Sequence, residues 1–286
     1  MFAGFTERLN FGMGSIGTVS VPSAFPVMPI GQLGNYNTYA INFIAVTGIT
    51  ASDQQAAINQ LSYDLVNTGL MDKMLAVYPF VGGNATAHSF NLKDPRNADT
   101  AFRLTFSGGW THSSTGILPN ATNTFANTYV NTLSNIPQER HHVSYYSRTA
   151  TMLSSRTEIG SNNNSTFFQF MIALSTGFYS GGGSVAAAFT TTGTGLGFWV
   201  GNKVSFADRR AYRNGVLEGQ VTTSVTTFLS NFPLYIGARN NSNGAATQFS
   251  NKECAFCSIG YDLTDAEVAT LYTIVQNFQR TLGRNV

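Results

Sequence analysis

Few side chains in this 286-residue chain stand at spacings that support chemistry. Cys254 and Cys257 form a Cys-x-x-Cys, which in a turn or helix start serves redox exchange or half of a zinc site. Here it falls in an apolar, strand-like run, Cys254-Ala-Phe-Cys-Ser-Ile-Gly. Residues three apart on a strand point to opposite faces, so neither a disulfide nor a shared metal is expected. No second pair completes a zinc site, and the thiols read as structural. Glycoside hydrolysis needs two carboxylates across a cleft, which a strand supplies at period-2 spacing. The 14 acids contain no such row. Asp262, Asp265 and Glu267 are the nearest cluster, and helix capping accounts for them. His141 and His142 head a strand and point to opposite faces, while His88 and His112 stand apart. Loop or surface packing is the expected role of all four. Gly-x-Ser-x-Gly, phosphate-binding and His-Glu-x-x-His motifs are missing. The sequence therefore predicts no catalytic residue, no cofactor and no metal, and a protein that is not an enzyme.

Sugar recognition asks for less. Aromatic faces stack on pyranose rings, and amide side chains meet hydroxyls. Trp110, His112, Tyr212 and Asn240 are the candidates. Trp110 and His112 lie in a Gly/Ser-rich loop, whereas Trp199, inside Phe198-Trp-Val, reads as core. Arg209, Arg210, Arg213 and Arg239 are expected to cluster near a hairpin as a solvated strand face or a subunit contact. A net charge of +2 gives no reason to expect a nucleic-acid partner. No run of about 18 apolar residues suggests membrane insertion. The early residues lack a basic segment followed by an apolar one, so no cleaved leader is expected. The sequons at Asn84, Asn120, Asn163, Asn164 and Asn240 are read as unglycosylated.

The elements that would position these groups are mostly strands. Charged residues make up only 10 % of the chain, against about 25 % in an average soluble protein. Asn, Thr, Ser and Gly fill the gap, which suits exposed sheet or surfaces covered by other subunits. Residues 1–45 carry Gly and Pro punctuation without apolar period and predict an arm that needs something to lie on. Within them and just beyond, Tyr39–Val46 reads as a short strand. Residues 46–83 form a helix-strand unit: a helix over 52–68 capped by Thr50 or Ser52, with Ala57, Ile58, Leu61 and Leu65 as its apolar stripe and Gly69 as its stop. A strand follows from Leu75 to Val81, broken at Pro79.

Residues 84–286 predict a β-sandwich. The expected strands are Ala101–Phe106, Val143–Ser147, Phe167–Leu174, Gly197–Val200, Val204–Phe206, Arg209–Arg213, Gly215–Thr222, Phe232–Gly237 and Cys254–Ile259. Asn214-Gly215 is a type I′ hairpin signal. Thr264-Asp-Ala-Glu267 is a capping box opening a terminal helix over 264–282, with Arg280 and Arg284 favoured at its C-terminal end by the helix dipole.

The stretch from about 195 to 282 resembles the end of a concanavalin A-like, laminin-G-like jelly roll. The Arg213-Asn-Gly-Val hairpin, the Leu234-Tyr-Ile-Gly-Ala-Arg strand and the Ser258-Ile-Gly-Tyr-Asp-Leu-Thr-Asp-Ala-Glu-Val passage into the helix carry the likeness. Between Met74 and Pro119, Tyr78-Pro-Phe-Val-Gly-Gly, Asn91-Leu-Lys-Asp-Pro and Phe106-Ser-Gly-Gly-Trp-Thr-His-Ser-Ser-Thr-Gly are similar to fibre-like virion proteins of tailed bacteriophages. The resemblance implies a mostly β jelly-roll sandwich in a non-enzymatic virion protein, a tail or head fibre or capsid decoration. It would be assembled in the host cytoplasm, attached to other virion proteins through residues 1–45 and self-associated, with a trimer favoured. A lectin-like module that acts as host adhesin on a surface glycan is the alternative, and a glycoside hydrolase the weaker one.

Overall fold

The computed structural model describes residues 36–286 apart from 164–165, 173–176, 180, 183–186, 190–193, 225–230 and 243. Residues 1–35, the greater part of the expected arm, lie outside the described residues. In chain order, helices α1 (Thr38–Thr47), α2 (Ser52–Asn67) and α3 (Leu70–Lys73) lead into strand β1 (Met74–Tyr78) and a short helix α4 (Ala85–Ser89). The strands β2 (Thr105–Ser107), β3 (Thr111–Ser113), β4 (Gly116–Leu118), β5 (Phe125–Asn131), β6 (His141–Ser147), β7 (Ile159–Asn162) and β8 (Phe167–Met171) follow. Next come β9 (Gly177–Tyr179), β10 (Ala187–Phe189), β11 (Gly197–Lys203), β12 (Arg209–Arg213), β13 (Val216–Val221), β14 (Pro233–Ile236), β15 (Arg239–Asn240), β16 (Ala246–Thr247) and β17 (Cys254–Gly260). Helix α5 (Asp265–Thr281) closes the fold.

Two sheets carry the strands. The first runs β13-β12-β11-β6-β17-β4-β3, with β1 also pairing β17. The second runs β10-β9-β8-β7-β14-β5-β2, with β15 on β7 and β16 on β15. Tyr145, Val143, Trp199, Cys257 and Ile259 of the first sheet meet Ile159, Phe168, Phe170, Leu234 and Ile236 of the second in one core. On its other face the first sheet offers Tyr146, Phe198, Val200, Tyr212 and Phe256 to α1, α2 and α5 in another. The first sheet is thus the middle layer, and β6, β11 and β17 are buried along their whole length. Covering both faces is what lets an apolar run such as Gly197–Lys203 serve as a strand.

The local signals explain much of this. In α2 the stripe Ala57, Ile58, Leu61 and Leu65 is buried. Ala51, without a side-chain bond, holds the N-cap position in place of Thr50 or Ser52. Gly69 follows in the left-handed region at φ 73°. At the hairpin Asn214 and Gly215 both take positive φ, 49° and 79°. Thr264 and Glu267 make the reciprocal capping box of α5.

Four expectations need correction. Tyr39–Val46 is helix, not strand: the Asn37 side chain accepts from the Tyr39 amide, and Gly48 at φ 66° donates its amide to Ile44 O. The end of the expected arm is therefore packed in the helical core. Gly197–Val200 and Val204–Phe206 are not two strands, because β11 runs unbroken to Lys203 before a turn. Ala101–Phe106 is mostly turn, with β2 beginning at Thr105. Cys254 and Cys257 do not face apart: a bulge between Cys254 and Phe256 adds a residue against β6. Both thiols therefore lie in the core between the sheets, while Ala255 and Phe256 face the helices. They remain free and buried.

Arg284 also departs from expectation. It lies beyond α5, not at a solvated helix end, and is buried. Gly283 turns at φ 64°. The guanidinium then donates to Pro79 O (2.7 Å), Phe80 O (2.7 Å), Ala255 O (3.0 Å), Ser114 O (3.2 Å) and Gln279 Oε1 (2.7 Å). One side chain bolts the loop after β1 to β17 and to the last helix.

Candidate functional site

Among the described residues the three longest helices all lie on the first sheet, on the face turned away from the second. Strand β5 alternates half-buried and buried residues throughout. Ala126, Thr128 and Val130 point inward, while Phe125, Asn127 and Asn131 stand outward. Across the sheet the registers place Thr105, Asn127, Tyr235, Gly160 and Gln169 in one row. Directly opposed residues share a face. Phe125 stacks on Tyr235 with centroids 4.5 Å apart and planes 17° from parallel.

A bulge sharpens this face. Asn127 to Asn131 spans the same length of β14 as Tyr235 to Pro233. The surplus is absorbed at Tyr129, which sits at φ 57°. Its amide donates to Asn127 Oδ1 at 2.9 Å, and its hydroxyl shares a hydrogen bond with Thr105 Oγ1 at 2.9 Å. Left-handed backbone costs a bulky residue about 1–3 kcal/mol, and such strain collects at binding sites. Bulges likewise serve to re-aim a side chain. The result is a cluster of aromatic rings and amides on the outer face of the second sheet, with Phe125, Asn127 and Tyr129 half-buried and Tyr235 buried against Phe125.

At Gly160 the row is filled by neighbouring side chains. A Cβ there would lie 2.8 Å from Thr157 Cγ2 and 3.6 Å from Arg239 Cγ. Thr157 donates to Gln248 Oε1 at 2.8 Å, and Gln169 donates to Thr157 Oγ1 at 2.6 Å and also to Gln248 Oε1. Gln248 is itself at positive φ, 53°. Arg239, opposite Gly160 in register, lies with its guanidinium 5.9 Å from the Phe167 ring centroid.

The residues proposed from sequence do not converge on one spot. Trp110 and His112 are neighbours, each packed edge-on against Phe106. The Trp110 indole donates to Phe125 O at 3.2 Å, and its ring fills the space beside Gly237. It therefore joins the rim of the core to the start of β5. His112 and His88 bring Nδ1 to Nδ1 at 3.0 Å. Tyr212 is buried beneath α5, donating its hydroxyl to Asp265 at 2.6 Å, with no ring face free to stack. Asn240 points inward and donates to Pro233 O at 2.9 Å. The Phe125-x-Asn127-x-Tyr129-x-Asn131 alternation was the signal for the outer face, but its Asn and Thr content reads as loop.

The other polar groups serve the fold. His88, His141 and His142 are buried rather than on loops or at the surface. Burial lowers His88 and His141 to about 3 and His142 to about 4. The arginines do not form one patch. Arg209 is buried and donates to Phe206 O and Thr223 O. Arg210 is clamped by Asp208 (2.6 Å) and Asp265 (2.5 Å). Arg213 lies over the Trp199 ring, and Arg239 belongs to the other sheet. Trp199 itself is core, as expected.

The carboxylates are poorly placed for acid-base work. Tyr212 and Arg210 hold Asp265 low. Burial opposes the bonds from Arg210 and Gln220 at Asp208, which is nonetheless lowered. Burial raises Glu158, but its oxygens are taken by Lys252 (3.5 Å), Ser250 (3.0 Å) and the Ile172 amide (2.6 Å). Among the described residues no group of three His, Cys, Asp or Glu could hold a metal ion, and no helix is long and apolar enough to cross a membrane.

These features define a mostly β, two-sheet jelly-roll sandwich with a helical layer on one side. Solved structures share that fold. The chain is similar to a receptor-binding domain, with a TM-score of 0.50 and 12 % identity over 73 % of this chain and 52 % of that one. It is similar also to a structure of botulinum neurotoxin type C, described as depending on interaction with two ganglioside molecules to enter cells. There the TM-score is 0.53 and the identity 11 %, over 73 % of this chain and 53 % of that one. The chain spans about half the length of these structures, and at such identities the likeness is one of fold. No protein-family profile matches the chain, and no curated protein matches it by sequence.

Proposed function

We propose that this chain is a non-catalytic recognition module that binds a host-surface glycan on the outer face of its second sheet. The observation that carries the reading is the strained Tyr129 bulge beside the Phe125–Tyr235 stack and Asn127, on a face that none of the three longest helices covers. Phe125 and Tyr129, both half-buried, would stack on sugar faces while Asn127 and Thr105 meet hydroxyls. The ganglioside dependence described for a neighbour of this fold agrees with that use. The virion setting rests on the sequence resemblance to fibre-like phage proteins. In that setting residues 1–45 attach the chain to other virion proteins, and a trimer displays the sandwich outward.

A glycan microarray tests the binding. The wild-type chain should bind a restricted set of saccharides, and Tyr129→Ala should weaken binding about tenfold, or about 1.4 kcal/mol, with unchanged urea unfolding midpoint to within the strain relieved. Silence of the wild-type chain on the array would sink the reading.

A further inference from the structure

The charge pattern around Gly160 goes one step beyond glycan binding. The Arg239 side chain forms no ion pair and no hydrogen bond among the described residues, and its Nε is buried without a partner. Its one described contact is the face of Phe167. Thr247, its directly opposed partner on β16, buries its Oγ1 likewise unpaired. Facing residues on an antiparallel pair have Cβ atoms about 5 Å apart, so the two side chains leave the sheet from neighbouring positions on one face. Beside them Gln248 is gripped through its oxygen by Thr157 and Gln169, which leaves its amide nitrogen as a further donor.

Leaving a buried donor unmade costs about 1–3 kcal/mol, more for a charged one. Desolvation lowers the Arg239 pKa, and no neighbouring charge offsets it. Glu158, the acid nearest in sequence to Gly160, is turned inward to Lys252 and Ser250. A guanidinium, a hydroxyl and an amide NH2 with no carboxylate among them form a donor set for an anion. The fork of an arginine matches a carboxylate or a sulfate in bidentate fashion. Tyr235 and Arg239 both register on Gly160, so the donor set continues the aromatic row.

We infer that the outer face of the second sheet takes an acidic saccharide, with Arg239 and Thr247 holding a sugar carboxylate or sulfate while the Phe125–Tyr129 side holds neighbouring rings. This rests on the glycan-binding reading and narrows it.

The test is a microarray carrying neutral, sialylated, uronate-containing and sulfated glycans, probed with the wild-type chain, Arg239→Gln, Thr247→Val and Tyr129→Ala, each first shown to unfold cooperatively in urea. The expected result is binding confined to acidic glycans and weakened by salt. Arg239→Gln should lower affinity tenfold or more, and Thr247→Val several-fold. Preference for sialylated or uronate glycans over sulfated ones identifies the carboxylate, and the reverse identifies the sulfate. Neutral glycans bound equally by wild type and Arg239→Gln, but lost in Tyr129→Ala, would overturn the acidic specificity and leave the outer-face reading standing. A wild-type chain that binds no glycan would remove both.

Discussion

Acid should unfold this protein well above the pH at which its carboxylates titrate. His141 and His142 are fully buried and His88 nearly so. Desolvation holds their folded pKa values at about 3, 4 and 3 respectively, against about 6.5 in an unfolded chain. A base whose pKa is lowered by folding is protonated first in the unfolded state. Stability is therefore complete above about pH 6.5 and falls as pH drops towards 4. Between pH 7 and pH 5 each histidine costs about 2 kcal/mol, and the three together about 6 kcal/mol. Glu158 works the other way: burial raises its folded pKa, so its protonation favours the native state and offsets part of the loss. Asp94, Asp208, Asp265 and Glu267 are lowered, so their contribution is lost only below about pH 4. Urea unfolding at pH 7 and pH 5 measures the difference directly. His142→Gln, which cannot titrate, should remove about a third of the pH dependence. A change of less than about 2 kcal/mol between the two pH values would refute the assignment of three neutral buried imidazoles.

Other perturbations probe separate parts of the fold. Arg284→Gln should cost about 3–5 kcal/mol, read from the urea midpoint, because it strips donors from buried carbonyls on three segments. Gly215→Ala should cost about 1–2 kcal/mol: φ is 79°, and the new methyl would meet Tyr272 Cδ1 at 3.2 Å and Ala269 Cα at 3.3 Å. Cys254 and Cys257 should react with a thiol reagent only at the rate of unfolding, since burial raises both thiols and suppresses the thiolate; rapid labelling of the native protein would contradict their placement.

Where local rules decide structure, the sequence was legible. The stripe of α2, the capping box at Thr264 and the Asn214-Gly215 turn each depend on residues within a turn or two of one another. The failures have physical causes. Tyr39–Val46 is rich in aromatic and β-branched residues, which favour strand, yet the Asn37 cap and Gly48 stop mark a helix, and tertiary burial decided the outcome. The side taken by Cys257 depends on a bulge against β6, a pairing that no spacing within β17 reveals. His142 and Arg284 meet carbonyls far away in sequence, at Tyr261 and at Pro79 and Phe80, so their types alone suggested surface. Trp110 and His112 pack together against Phe106 and are not part of the candidate site. Tyr129 and Arg239 gain their meaning from cross-strand register, which becomes visible only when β5, β14, β7 and β15 are laid side by side.

The place of β17 in the first sheet has a consequence for how the chain is made. This strand pairs β6 along one edge and β1 and β4 along the other, although it is the last strand synthesised. Until residues 254–260 emerge, β6 and β1 are strands with a vacancy between them, each presenting unpaired backbone groups to any neighbouring chain. Arg284 then ties the assembly to carbonyls 204 and 205 residues upstream. Contacts of that separation form slowly. On the ribosome the middle layer is therefore a frame awaiting its keystone, and crowding of nascent chains during that wait is the stage at which this protein is most exposed to mispairing.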